Sequence, residues 1–111
     1  ASSLEVQNSF FQNCEATSGN GGAVAVRAYS DLLVTNTTFF NNYGVDGGAL
    51  YAYLYSTIDI HGSSRFERNV AQEEGACVMA QYQSAVYVFD DAVFVGNFAR
   101  QGMLNGGYYS L

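Results

Sequence analysis

The chain has 111 residues, 49% hydrophobic and 13% charged, which is enough apolar material for one folded core and too much for a disordered tail. Its net charge of −6 sets Arg27, Arg65, Arg68 and Arg100 against ten carboxylates with no lysine. That balance excludes the clustered basic face required by a nucleic-acid backbone or an anionic membrane surface, and it suits solubility outside a cell.

Nine Tyr, eight Phe and 12 Gly, with no Pro, favour short strands separated by Gly and Asn turns. No run approaches the roughly 20 apolar residues that cross a bilayer, so the chain itself is not expected to insert in a membrane. The first residues lack the basic-then-apolar form of a signal peptide, and the chain opens on Ala1. It reads as a processed mature protein or an excised piece.

The first predicted element is Leu4-Glu5-Val6-Gln7, whose first and third places are apolar, the alternation of a strand with one buried face. Asn8 follows as a turn residue, then Phe10 and Asn13 in a Phe-x-x-Asn phrase. After a longer segment at Glu15–Asn20, expected to bulge as a surface loop, come Gly21-Gly22-Ala23 and a second strand through Val24 and Val26. The same succession then returns. Leu32-Leu33-Val34, Asn36, Phe39 to Asn42 and Gly47-Gly48-Ala49-Leu50 form the second copy; Ile58-Asp59-Ile60, Gly62, Phe66 to Asn69 and Glu74-Gly75-Ala76-Cys77 the third. Val86-Tyr87-Val88, Asp90, Phe94 to Asn97 and a faint Gln101-Gly102-Met103-Leu104 form the fourth.

Counted from Phe10 through Phe39, Phe66 and Phe94, the phrase steps by 29, 27 and 28 residues, and the glycines at 22, 48, 75 and 102 step by 26, 27 and 27. One period held by independent markers is the signature of a solenoid. The predicted fold is all-β: a right-handed parallel β-helix of about four coils of about 28 residues, forming a single domain with repeats near 4–31, 32–57, 58–85 and 86–111. An antiparallel β-sandwich has no reason to repeat Phe-x-x-Asn and Gly-Gly-Ala at one interval.

On this fold equivalent residues stack in columns. The expected ladders are Phe10, Phe39, Phe66 and Phe94, with offset rings; Asn13, Asn42, Asn69 and Asn97, with amides bonded coil to coil and backbones able to turn left-handed; and Gly22, Gly48, Gly75 and Gly102, at a bend or close approach. In the strand after the glycines, Val24, Leu50, Cys77 and Leu104 are expected to align, as are Val26, Ala52, Met79 and Gly106. Cys14 and Cys77 would lie roughly 10 Å apart at about 4.8 Å per coil, so free thiols are expected.

The alternating Phe-x-x-Asn and Gly-Gly-Ala-[Ile/Leu/Val] phrases resemble the repeats of the chlamydial polymorphic outer membrane proteins and of related surface β-helices. The resemblance covers nearly the whole chain and is sharpest in the first two repeats. It implies an extracellular or cell-surface adhesive or structural β-helix of autotransporter-passenger type. The membrane barrel of full-length family members is absent from this sequence.

No set of residues in the sequence forms a catalytic constellation, so an enzyme is not expected, and no cofactor is. His61-Gly62 and Asp90-Asp91 echo the His-Gly and Asp-Asp of polygalacturonase-type β-helices, but in reversed order and without an Arg-x-Lys. They read as a solvated histidine and a turn. Calcium at Glu73-Glu74 or Asp90-Asp91 would need a ligand array the sequence does not supply. Asn36-Thr37-Thr38 is a glycosylation sequon.

Tyrosines 51, 53, 55, 82, 87, 108 and 109 are expected on the surface, where they could meet a glycan or a host protein. The strands expected at both ends carry no polar cap, which points to a slice of a longer β-helix or to head-to-tail self-association into a fibre.

Overall fold

In a computed structural model the described residues are 2–100 and the two-residue strand Tyr109–Ser110. The first coil contains β1 (Ser3–Gln7), β2 (Phe10–Gln12) and β3 (Val24–Arg27). The second contains β4 (Asp31–Thr35), β5 (Thr38–Phe40), β6 (Tyr43–Asp46) and β7 (Leu50–Tyr53). The third repeats it with β8 (Thr57–His61), β9 (Arg65–Glu67), β10 (Val70–Glu74) and β11 (Val78–Gln81). A partial further coil adds β12 (Ala85–Val88), β13 (Val93–Val95) and β14 (Phe98–Ala99), and β15 (Tyr109–Ser110) is the last strand. No helix occurs among the described residues.

Corresponding strands of successive coils pair in parallel. Among the described residues they form four sheets, ordered β1-β4-β8-β12, β2-β5-β9-β13, β6-β10-β14 and β3-β7-β11-β15, in which only the β11–β15 pair is antiparallel. The result is a parallel β-solenoid of about three turns. Its register explains the sequence period. Leu4 pairs with Leu32, Leu32 with Ile58 and Ile58 with Val86, so one apolar column runs through the first sheet, and Val6, Val34, Ile60 and Val88 form the next. Leu32, Val34, Ile58 and Ile60 are almost wholly buried, in one cluster with Phe39, Phe66, Leu50, Val78 and Ala80.

Two registers differ from the sequence reading by one residue. In the first coil Phe11, not Phe10, pairs with Phe39. The ring column is therefore Phe11, Phe39, Phe66 and Phe94, with centroids 5.0, 4.8 and 4.8 Å apart and planes within 10°. Phe10 points outward and is 61% exposed. In the third coil Val78, not Cys77, pairs with Leu50, and Ala80, not Met79, with Ala52. Gly75 therefore follows Gly21 and Gly47 rather than Gly22 and Gly48. The place of Gly22 and Gly48 is filled by Ala76. A one-residue slip turns every side chain to the opposite face, so each slip reassigns a whole column.

The fourth coil also departs from expectation. Gly102, Leu104 and Gly106 lie outside the described residues, and the last strand does not pair in parallel. Instead Met79 faces Ser110 and Ala80 faces Tyr109 in an antiparallel pair. The segment at Glu15–Asn20 is irregular as expected. It is held by a bridge from Glu15 to Tyr43 and by the Val45 N–H, which donates to the Gly19 carbonyl at 2.9 Å.

Candidate functional site

Each coil turns corners on side chains that bond to the next coil. At the corner after the Phe column, Asn42 Oδ1 accepts the backbone N–H of Cys14 at 2.9 Å, Asn69 Oδ1 that of Asn42 at 3.0 Å, and Asn97 Oδ1 that of Asn69 at 2.8 Å. The Nδ2 of Asn42, Asn69 and Asn97 donates to the carbonyls of Phe11, Phe39 and Phe66. Asn69 and Asn97 also accept from the side chains of Asn42 and Asn69, which completes the ladder.

Asn13 is outside this column, and Cys14 holds the place. Asn13 instead accepts from Asn41 Nδ2 at 2.6 Å on the exposed side. The left-handed residue at this corner is the one before the ladder asparagine: Asn13, Asn41, Arg68 and Gly96 have φ of 59, 58, 56 and 66°.

Two hydroxyl ladders hold the other corners. Ser64 Oγ accepts the Thr37 N–H at 3.2 Å and donates to the His61 carbonyl, while Thr37 Oγ1 accepts the Ser9 N–H. Ser84 Oγ accepts the Ser56 N–H at 3.0 Å, and Ser56 Oγ accepts that of Ser30 and donates to the Tyr53 carbonyl. No buried side-chain nitrogen or oxygen among the described residues lacks a partner. These groups are committed to the wall of the solenoid, as a buried polar atom must be to avoid its desolvation cost.

The corner between the β3-β7-β11 sheet and the first sheet has a feature that the sequence hid. Ala28-Tyr29, Leu54-Tyr55 and Tyr82-Gln83 are consecutive left-handed pairs, with φ between 55 and 63°. Such a conformation costs a non-glycine residue about 1–2 kcal/mol. Hydrogen bonds from Tyr29 N–H to the Leu54 carbonyl and from Tyr55 N–H to the Tyr82 carbonyl, 3.0 Å each, offset it.

The corner carries exposed aromatic side chains. Tyr29 and Tyr55 stack at 5.1 Å, Tyr82 meets Tyr53 edge-on at 4.9 Å, and the Arg27 guanidinium lies 6.0 Å from the Tyr53 ring centre. Tyr87 is exposed on the first sheet. Tyr51 is not a surface residue: it is 3% exposed, its hydroxyl donates to Gln81 Oε1 at 2.6 Å, and burial is the main cause that pushes its phenol above the usual range. The side chains of Tyr108 and Tyr109 fall outside the description.

The residues suited to chemistry are dispersed. His61 stacks on Phe89 at 4.4 Å and its Nδ1 lies 3.7 Å from Asp90 Oδ2, on an open face. Asp90 Oδ2 also accepts the Gly62 N–H at 2.9 Å, and Asp90 is left-handed like Asn8, Asn36 and Gly62. Its geometry is that of a turn. Asn36 is exposed, and its Oδ1 accepts the Ser63 N–H at 2.8 Å.

Among the described residues no three His, Cys, Asp or Glu side chains converge as a metal site. Cys14 is half-buried and Cys77 buried, both free thiols, and burial pushes Cys77 up to about 12. Burial also raises Asp46, with the nearby Glu73 charge adding and a hydrogen bond from the Glu74 N–H opposing.

Residues 36–53 match the family model of the Chlamydia polymorphic membrane protein repeat. That stretch of the second coil is similar to this repeat. It runs from the left-handed Asn36 through Phe39 and Asn42 of the two ladders, and past Gly47-Gly48 to the end of β7, so it holds one member each of the ring, asparagine and glycine columns and none of the apolar columns of the first sheet. The coils on either side have the same strand succession and pair with the matched one in register, so the chain is a β-solenoid containing a stretch similar to that repeat. No curated protein and no solved structure matches the chain.

The sequence reading missed the hydroxyl ladders as coil-to-coil bonds. Their signal was a Ser or Thr recurring at 37 and 64, and at 30, 56 and 84.

Proposed function

We propose that the chain is a structural and adhesive module of a cell-surface β-helix, displayed outside the membrane and not an enzyme. The observation that carries this reading is the match of residues 36–53 to a repeat named for membrane proteins, in a coil whose polar side chains bond to the coils beside it. A wall so constructed is stiff, because each corner is tied to the next by buried hydrogen bonds. Its outward positions are free to vary without disturbing the stack. The exposed tyrosines at 29, 55 and 82 are where a glycan or a host protein would be met. The acidic charge suits solubility at that location.

An antibody raised against the folded chain tests the location. It should label intact cells of the source organism, and protease added outside should remove the signal. Labelling seen only after permeabilisation would overturn the reading.

A further inference from the structure

The corner between the β3-β7-β11 sheet and the first sheet begins a tyrosine stack and leaves it unfinished. Arg27 pairs with Tyr53 and Tyr53 with Gln81, so two residues further on Tyr29, Tyr55 and Gln83 share one column. All three are left-handed, with φ of 63, 58 and 60°. Tyr29 and Tyr55 stack at 5.1 Å with their planes 3° apart, close to the 5.0 Å of Phe11 on Phe39 in the interior. In the third coil Gln83 stands where a third ring would continue the stack.

An open groove of about 180 Å³ lies at that place, lined by Leu54, Tyr55, Tyr82 and Gln83. It is on the side of Tyr55 toward the third coil, away from Tyr29. Tyr82 is 54% exposed and is held edge-on to Tyr53 at 4.9 Å. The backbone beneath is tied to the third coil, because the Leu54 N–H donates to the Gln81 carbonyl at 3.3 Å and the Tyr55 N–H to that of Tyr82 at 3.0 Å. The groove is thus formed before any ligand arrives, which lowers the ordering cost of binding.

The lining defines the ligand. The groove is smaller than the roughly 300–1,000 Å³ of a drug-sized site, so it suits a single ring. No charged side chain lines it, and the net charge of −6 disfavours an anion. The negative face of an aromatic ring attracts C–H groups, while the exposed Gln83 amide beside it offers both donors and an acceptor. A pyranose has the matching pattern, with C–H groups across one face and hydroxyls around the rim. A phenyl ring would stack as well but has no rim group for the amide.

We propose that this groove binds one neutral pyranose unit of a glycan, stacked on Tyr55 in the place of the third ring, with Gln83 bonding its hydroxyls. The site rests on the reading of the chain as a surface module, but its occupancy is measured on the chain in solution, so a failure there is distinct from a failure of surface labelling.

The test is NMR titration of the full isotope-labelled chain with the methyl glycosides of glucose, galactose, mannose and N-acetylglucosamine, and with N-acetyltyrosinamide as the aromatic rival. At least one glycoside should shift the amides of Leu54, Tyr55, Tyr82 and Gln83 saturably, in the millimolar range. Gln83→Tyr completes the stack with the residue that the first two coils hold at this place. It should fold and bind that glycoside at least about tenfold more weakly, whereas Tyr87→Ala on the first sheet should bind as the wild type does. Absence of glycoside shifts at these amides would overturn the proposal, as would undiminished binding by Gln83→Tyr or an equal loss in Tyr87→Ala. Shifts there with N-acetyltyrosinamide alone would overturn it too, and would give the groove to an aromatic side chain of a partner protein. Should Gln83→Tyr not fold, Tyr55→Ala decides, since it removes the stacking face: loss of binding by the folded variant supports the site and retention overturns it.

Discussion

Asn69 Oδ1 accepts two hydrogen bonds from Asn42, one from its backbone N–H at 3.0 Å and one from its Nδ2 at 2.9 Å, in a corner where both residues are at most 1% exposed. Asn69 Nδ2 meanwhile donates to the Phe39 carbonyl at 3.0 Å. One side chain thus satisfies groups of two coils.

Removing that side chain leaves the buried Asn42 N–H without its acceptor, takes one of the two partners of Asn42 Nδ2, and withdraws donors from the Phe39 carbonyl and Asn97 Oδ1; a buried group left unsatisfied costs about 1–3 kcal/mol. Asn69→Ala should lower the unfolding free energy by roughly 3 kcal/mol or more, read from urea titration followed by circular dichroism. Asn13→Ala, whose partner lies on the exposed side, should cost less than about 1 kcal/mol. Equal losses in the two variants would contradict the placement of Cys14 rather than Asn13 in the ladder.

The ring column makes a similar contrast. Phe39 is fully buried between Phe11 and Phe66, so Phe39→Ala should cost about 3–5 kcal/mol through lost burial and a cavity. Phe10→Ala, at an exposed ring, should change stability by less than about 1 kcal/mol, and Phe11→Ala should exceed it. Thermal melts of the three variants decide the register of the first coil, and a larger loss from Phe10 than from Phe11 would reverse it.

The thiols should react at different rates. Cys77 has no exposed surface and is pushed up to about 12 by burial, so at neutral pH it is both protonated and shielded. With an alkylating reagent followed by mass spectrometry, Cys77 should be modified only at the rate of global unfolding, and the half-buried Cys14 first. Rapid modification of Cys77 in the folded protein would show that the interior of the third coil opens locally.

Asp46 gives the fold a pH dependence of defined sign. Burial raises its carboxyl above the ordinary value of 3.8, so its stabilising contribution is fully present below that value and is lost as pH rises through the raised one. Asp46→Asn keeps an oxygen to accept the Glu74 N–H and removes the half-buried charge. The variant should therefore gain stability relative to wild type at neutral pH, with the gain shrinking as the medium is acidified. Urea titrations across that range check it, and a variant advantage that grew on acidification would be the wrong sign.

Much of this architecture could be read before any coordinates. Leu32-Leu33-Val34 and Ile58-Asp59-Ile60 recur at a fixed interval with the same alternation, and only in-register parallel stacking places like side chains on like throughout a chain. The columns of the second coil, Phe39, Asn42 and Gly48, followed from that interval.

The interval did not settle where each copy begins. Phe10 and Phe11 are adjacent and chemically identical, and either opens an acceptable phrase. The degenerate Glu74-Gly75-Ala76-Cys77 can likewise be laid on Gly47-Gly48-Ala49-Leu50 with or without a one-residue shift. What separates the alternatives is the pairing of backbone groups between coils, which requires Phe11 on Phe39 and Val78 on Leu50.

The tandem left-handed corners at Leu54-Tyr55 and Tyr82-Gln83 carry no glycine or asparagine to announce them, because the bonds that offset their strain come from a neighbouring coil. The antiparallel strand at Tyr109–Ser110 was equally hidden. The period, the sidedness of the strands and hence the parallel solenoid were legible in the residues alone, since they depend on side-chain chemistry repeated along the chain. The register of each copy came from the fold alone, because it depends on which backbone groups of one coil meet those of the next.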